Sequence, residues 1–319
     1  GQLPQILSAL DGANPLAANW IRAAVDTIAE RDLKEQGILP KAELESFVMD
    51  ETHAPRARRL AFEWLARVDE SAPDRIIPNL LHDPSVEFRR DAVARLLDEA
   101  NSLLEEGQTE AALAVFQKAL TGARDLDQVK AIVTELSNHE IEVDVPKHFG
   151  FITEWKIIGP FDNTDEKGFD LVNPPEEKID LSAKHEGKSG PVDWVSHTTE
   201  DDYGVVDFIT AIVKENAVTA YAMAEFYSPE EQPVELRWGC INANKVWLNG
   251  ELLASHEVYQ AGMEVDQYFA EGTLKPGRNV ILVKVCHNNM SESWAQDWKF
   301  QLRVCDPVGT AIHSEPPSK

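Results

Sequence analysis

The segment Lys245-Val-Trp-Leu-Asn-Gly-Glu-Leu-Leu-Ala254 leaves this chain few options. Asn249-Gly250 suits the two positive-φ positions of a type I′ turn, whose twist matches a pair of strands, so the apolar residues on either side must face each other across a hairpin. Leu274-Lys-Pro-Gly-Arg-Asn279 then reads as a second turn, and Val280-Ile-Leu-Val-Lys-Val-Cys286 as the returning strand. The same period of two begins near Phe151, where 151–158 alternates and Gly159-Pro160 stops it. Further strands are expected at 205–209, 218–226, 234–240, 245–248, 252–256, 280–286 and 298–305. Short strands separated by turn signals make an antiparallel sandwich. Residues 163–194, with Pro174-Pro175, Gly187 and Gly190, read as a long excursion with little regular structure, long enough for a functional or edge-covering role.

The first 140 residues follow a different period. Val86, Val93, Leu96, Leu97, Ala100, Leu103 and Leu104 recur at helical spacing up to Gly107, with Asp83 as the expected cap and Pro84 at the first helical position. Thr109 is the expected cap of the next helix, which carries Ala112, Val115, Phe116, Ala119 and Leu120 and stops at Gly122; Asp125 opens another. Arg58-Arg-Leu-Ala-Phe-Glu-Trp-Leu65 aligns with Arg89-Arg-Asp-Ala-Val-Ala-Arg-Leu96, a weak internal repeat. The expected fold class is therefore multidomain: an α-helical, repeat-like domain over 1–140, a linker over 141–149, an all-β sandwich over 150–306 and a flexible tail over 307–319.

Charge and composition exclude several functions. A formal net charge of −25 repels nucleic acid and anionic membranes over long range. No apolar run reaches the ~20 residues that span a bilayer, so no membrane insertion is expected. Cys240, Cys286 and Cys305 are too few and too odd in number for a disulfide framework, and buried thiols are expected. The chain opens on Gly1 rather than Met, which suits removal of an upstream segment such as a signal peptide. The expected location is outside the cytoplasm, periplasmic or secreted.

No catalytic signature emerges. Gly187-Lys188-Ser189 resembles the end of a phosphate-binding loop, but Ser182 stands where the earlier glycine is required. The nine histidines lack ligand spacing. Asp162, Asn163, Asp165 and Glu166 offer the oxygen ligands a calcium loop needs, but their spacing matches no EF-hand and they read first as a solvated acidic turn. No metal and no cofactor are expected.

The hairpin at 245–254 and the Lys275-Pro-Gly277 turn resemble the sugar-binding jelly roll that accompanies many glycoside hydrolases, within the galactose-binding-like group. Ala112, Phe116, Ala119 and Leu120 resemble a tetratricopeptide helix, and the Arg58 repeat resembles HEAT helices. Trp155-Lys-Ile-Ile-Gly-Pro-Phe161 and the Gly168 to Glu176 segment resemble uncharacterised bacterial proteins that pair such helices with such a sandwich. The resemblance implies an accessory, non-catalytic module, because the barrel that carries the hydrolase's acid and nucleophile has no room in this chain. The chain is read as a binding protein and not an enzyme, with carbohydrate as the first expected partner. A protein partner on the helical domain, with a purely structural sandwich, is the alternative, and a cryptic glycoside hydrolase is the third.

Two loops carry the chemistry that sugars need, flat rings for C–H faces and amides or carboxylates for hydroxyls. The first offers Asn288, Asn289, Trp294, Asp297 and Trp298; the second offers Tyr259, Asp266, Gln267 and Tyr268. Sandwich topology can bring both loops to one end. Trp298 also sits where a strand begins, which fits a place in the core. Exposure of Trp294 and Trp298 favours sugar, whereas an apolar patch near Trp20, Phe47 or Trp64 favours protein.

Overall fold

A computed structural model describes residues 2–316. The chain divides into two compact units, Gly1–Glu142 and Val143–Lys319.

The first unit is helical. Its helices are α1 (Leu3–Ser8), α2 (Pro15–Gln36), α3 (Lys41–Met49), α4 (Pro55–Val68), α5 (Ala72–Ile76), α6 (Val86–Glu105), α7 (Thr109–Gly122) and α8 (Leu126–Asn138). Neighbours in sequence pack on one another, α3 on α4, α6 on α7 and α7 on α8. The internal repeat is structural: Arg58, Ala61 and Phe62 of α4 are buried, and so are Arg89, Ala92 and Val93 at the matching positions of α6. Asp83 does not cap α6. Its carboxylate accepts both Arg58 Nη1 (2.9 Å) and Arg58 Nη2 (2.6 Å), and Ser85 takes the cap position instead. Gly122 is required where α7 meets the Leu81 loop, because a Cβ there would lie 2.4 Å from Leu81 Cδ1.

The second unit is an antiparallel sandwich. It opens with α9 (Val145–Phe149), followed by β1 (Glu154–Asp162), α10 (Pro174–Glu177), β2 (His185–Gly187), β3 (Gly190–Val192), β4 (Val195–Thr198), β5 (Val206–Asp207) and α11 (Phe208–Ala211). Then come β6 (Val218–Ser228), β7 (Gln232–Cys240), β8 (Ala243–Leu248), β9 (Glu251–His256), β10 (Tyr268–Leu274), β11 (Gly277–Cys286) and β12 (Lys299–Cys305). One sheet runs β4-β1-β6-β11-β8-β9, the other β10-β7-β12-β5, and β2 pairs with β3 alone. Alternate residues of the facing strands fill the core, among them Ile157, Val246, Val283 and Val285 against Leu236, Trp238, Phe300 and Leu302.

The turn that constrained the sequence is present. Asn249 (φ 53°) and Gly250 (φ 84°) join β8 to β9. Asn249 Oδ1 accepts Val280 N and its amide donates to Asn279 Oδ1, while Asn279 Oδ1 also accepts Lys275 N, so one asparagine pair fixes both turns. The strand expected at 205–209 is shorter, because Asp207 caps α11 through Ile209 N. β10 was not expected: Ala270 and Gly272 weaken its strand propensity, and pairing with β7 decides the matter.

The excursion covers a face of the larger sheet rather than an edge. Ile179, Val192 and Trp194 pack over Ile158, Tyr221, Met223, Trp247 and Leu282, which is why Trp247 is almost fully buried. Lys284 pins it. This side chain is wholly buried, and its Nζ donates to Phe169 O (3.0 Å), Leu171 O (2.8 Å) and Glu176 Oε1 (2.8 Å). The same carboxylate oxygen accepts the Tyr221 hydroxyl at 2.5 Å.

Two boundary segments carry more structure than a linker or a flexible tail. Within 141–149, α9 buries Val145 and Phe149, and Arg303 Nη1 donates to Phe149 O at 3.1 Å. Of the tail, the described residues 307–316 are bonded to strands, Ile312 N donating to Val304 O and Glu315 N to Tyr227 O; residues 317–319 lie outside the described residues. Backbone hydrogen bonding to strands holds these segments where composition gave no hint.

Candidate functional site

The two aromatic loops meet at one end of the sandwich. Gln260 Nε2 donates to Ala295 O (3.1 Å), and Asn288 Nδ2 donates to the same carbonyl (3.1 Å). Gln296 Nε2 adds bonds to Met290 O and Glu292 O, closing the second loop on itself. Between Ala295 and Ser293 stands Trp294, 63% exposed on a one-turn 3₁₀ segment. The loop is thus braced while its indole faces solvent.

Trp298 is not part of it. It shares the inward parity of Phe300, Leu302 and Val304, is 0% exposed, stacks near Phe208 (4.9 Å between centroids) and donates Nε1–H to Val285 O. Burial of its ring in the core is worth more than exposure at the loop, so the sandwich claims it.

Most of the polar groups expected to meet sugar hydroxyls are also taken. Asn288 is buried, its amide on Ala295 O and its Oδ1 accepting Met290 N. Gln267 Oε1 accepts Cys240 N and its amide donates to Gly262 O. Asp266 receives Arg303 Nε (2.7 Å), Arg303 Nη2 (2.5 Å) and Arg237 Nη1 (3.1 Å). Tyr268 begins β10, is half-buried and stacks its ring on His256 at 4.2 Å. Tyr259 is half-buried against Phe169, with its hydroxyl accepting Asn163 Nδ2 at 3.2 Å. Asn289 is exposed, and Asp297, also exposed, pairs with Lys299 at 2.8 Å. Of the nine expected residues, Trp294, Asn289 and Asp297 remain available at the surface.

Beneath the loops lies a row that sequence reading missed. Ala243 pairs with Cys286 and Cys286 with Thr219, so Asn242 and His287 follow at the sheet's end, with Asn163 at the end of β1. All three side chains are buried. Among the described residues, Asn163 Oδ1, His287 Nε2 and both amide atoms of Asn242 have no hydrogen-bond partner. Asn163 Nδ2 donates to His287 O (2.8 Å) and His287 Nδ1 lies 3.1 Å from Glu215 O, so the row fastens the loops from below. Burial lowers the His287 pKa and keeps the ring neutral.

The Asp266 carboxyl has a pH consequence. Burial pushes its pKa up, but the hydrogen bonds and charge of Arg303 and Arg237 outweigh burial, and the net shift is downward. A carboxyl lower in the folded than in the unfolded state stabilises fully above its unfolded pKa, and that stability is lost as pH falls through the folded value. Asp266→Asn is therefore expected to destabilise the protein at pH 7 and to flatten the acid limb below about pH 4. Denaturation midpoints at both pH values check this; an acid limb as steep in the variant as in the wild type contradicts it.

Among the described residues, Asp162, Asp180, Glu225 and Asp266 have their pKa displaced downward. No helix among the described residues is long and apolar enough to cross a membrane.

No family model matches this sequence, and no curated protein matches it. Parts of the chain are similar to solved structures. A β-glucosidase from Kluyveromyces marxianus in complex with glucose aligns at 16% identity over 49% of this chain and 16% of its own, with a TM-score of 0.30. A β-glucuronidase from Ruminococcus gnavus aligns at 15% identity over 49% of this chain and 28% of its own, with a TM-score of 0.28. A family 35 carbohydrate-binding module from Clostridium thermocellum aligns at 13% identity over 28% of this chain and 71% of its own, with a TM-score of 0.20. The chain thus spans 16% of the length of that β-glucosidase, and at such values the likeness assigns no ligand and no family.

Proposed function

We propose that the sandwich is a non-catalytic module that holds a saccharide on Trp294. The observation that carries this reading is the exposure of one indole: 63% of Trp294 faces solvent on a loop closed by four side-chain hydrogen bonds. These bonds reduce the ordering cost that stacking has to offset. Asn289 and Asp297 stand on the same loop for hydroxyls. With the remaining polar groups committed internally, affinity rests on one ring and falls in the micromolar-to-millimolar range by the ordinary ligand-efficiency bound.

Calorimetric titration of the full chain against a glycan panel tests it. Trp294→Ala is expected to weaken binding at least about tenfold, or roughly 1.4 kcal/mol, and Trp294→Phe less. An unchanged affinity in a folded Trp294→Ala protein, or no binding by any glycan, removes the reading.

A second reading rests on the helical unit. Leu16 (70% exposed) and Trp20 (73% exposed) stand one turn apart on α2, whereas Phe47 and Trp64 are buried. An i, i+4 apolar pair in water suits a protein partner. Loss of a partner on Trp20→Ala, with glycan binding intact, would favour it.

A further inference from the structure

The excursion leaves part of the larger sheet's outer face open. Beside Leu181 the cover stops, and a groove of about 490 Å³ runs across β4, β1 and β6. Met223 and Tyr227 line its β6 side, and Lys156, Ser196 and His197 line it from β1 and β4. The far wall is the C-terminal segment: Ser314 and Pro316 line the groove, Ser314 Oγ accepts Tyr227 N (2.9 Å), and Glu315 N donates to Tyr227 O (2.9 Å).

We infer that this groove is a second ligand site, for a short stretch of a neutral saccharide chain. Its size falls within the range of small-molecule sites. The charges present are of both signs, Glu225 paired with Arg278 at 2.7 Å and Lys156 set against Glu154 in the same lining, so the groove has no excess charge to select an ion. The hydrogen-bonding capacity left over is the remaining N–H groups of Lys156, the Ser196 O–H, the free lone pair of the Tyr227 oxygen, whose O–H goes to Glu225 Oε2 at 3.1 Å, and the Glu154 carboxylate. Hydroxyl groups both donate and accept, which makes a polyol the ligand that such a mixture satisfies. Leu181, exposed at the rim, supplies apolar surface for sugar C–H faces, and the buried Met223 lies beneath as part of the floor. A β-strand peptide would need the outer edge of β4, whereas the groove opens on the face of the sheet, between β1 and β6, where backbone hydrogen bonds are already made. The site is independent of Trp294.

The protein's four methionines make the two sites separable. Met223 lines the groove, Met290 lies in the Trp294 loop, and Met49 is in the helical unit. The full chain, labelled with ¹³C at methionine methyls, is titrated with cellohexaose, xylohexaose and mannohexaose to 10 mM. With at least one probe the Met223 methyl is expected to shift in a saturating manner while Met49 stays fixed. Tyr227→Ala, and separately removal of residues 314–319, should each weaken the Met223 titration at least tenfold. Trp294→Ala should leave it unchanged and abolish only a Met290 response. A Met223 methyl that does not move with any probe overturns the groove, as does a response that survives both the Tyr227 and the tail variants; neither outcome bears on Met290 and the apex.

Discussion

Lys284→Ala is expected to destabilise the C-terminal unit by about 3–5 kcal/mol, the range for removing one partner of a buried ion pair. Nothing in the local sequence marks this lysine as special. Strand pairing places it on the outer face of β11, and the excursion then closes over it, so that all three ammonium donors find oxygen at 2.8–3.0 Å. Truncation leaves Glu176 half-buried beside Tyr221 without its cation and two carbonyls without donors. Lys284→Met keeps the volume and isolates the charge, so it is expected to cost nearly as much. Adding Glu176→Gln to Lys284→Met should recover part of the loss, because the uncompensated charge goes with it. Chemical denaturation at constant m-value measures each variant. A loss below about 1 kcal/mol for Lys284→Ala would show that the excursion is held by its apolar contacts alone.

The second large effect is expected in the helical unit. Arg58 is fully buried, its fork engages both oxygens of Asp83, and its Nε donates to Val48 O at 2.7 Å, tying α3, α4 and the segment before α6 together. Asp83→Ala strands a guanidinium in an apolar surround that includes Phe88, 5.4 Å away. The expected cost is again about 3–5 kcal/mol. Hydrogen exchange should show it as lost protection in peptides covering 41–105, with peptides from the sandwich unchanged. Protection lost equally throughout the chain, or not at all, would contradict this assignment. The matching position, Arg89, donates Nη1 to the backbone carbonyl of the same Asp83 at 3.3 Å.

The expected helices, the hairpin and most strands were legible because they depend on local rules. Asn249-Gly250 needs only two positive φ values, and the apolar period needs only neighbours in sequence. The same locality explains the failures. Asp83 has the residue type of a cap, yet an ion pair 25 residues back in the chain outbid the helix end for its carboxylate. Asp266, Gln267 and Asn288 have the chemistry of sugar contacts, yet each spends it on a backbone group or guanidinium that only folding brings near.

Sequence alone determined that this chain makes helices and then an antiparallel sandwich, and where its sharpest turn falls. Tertiary structure decided that Trp294 stands in water while Trp298 fills the core, that Lys284 is buried under the excursion, and that the C-terminal segment walls a groove. The difference is physical. Periodicity and turn chemistry act within a few residues, whereas exposure and hydrogen-bond partnership are set by groups tens to more than a hundred residues away, as when Lys284 meets Phe169.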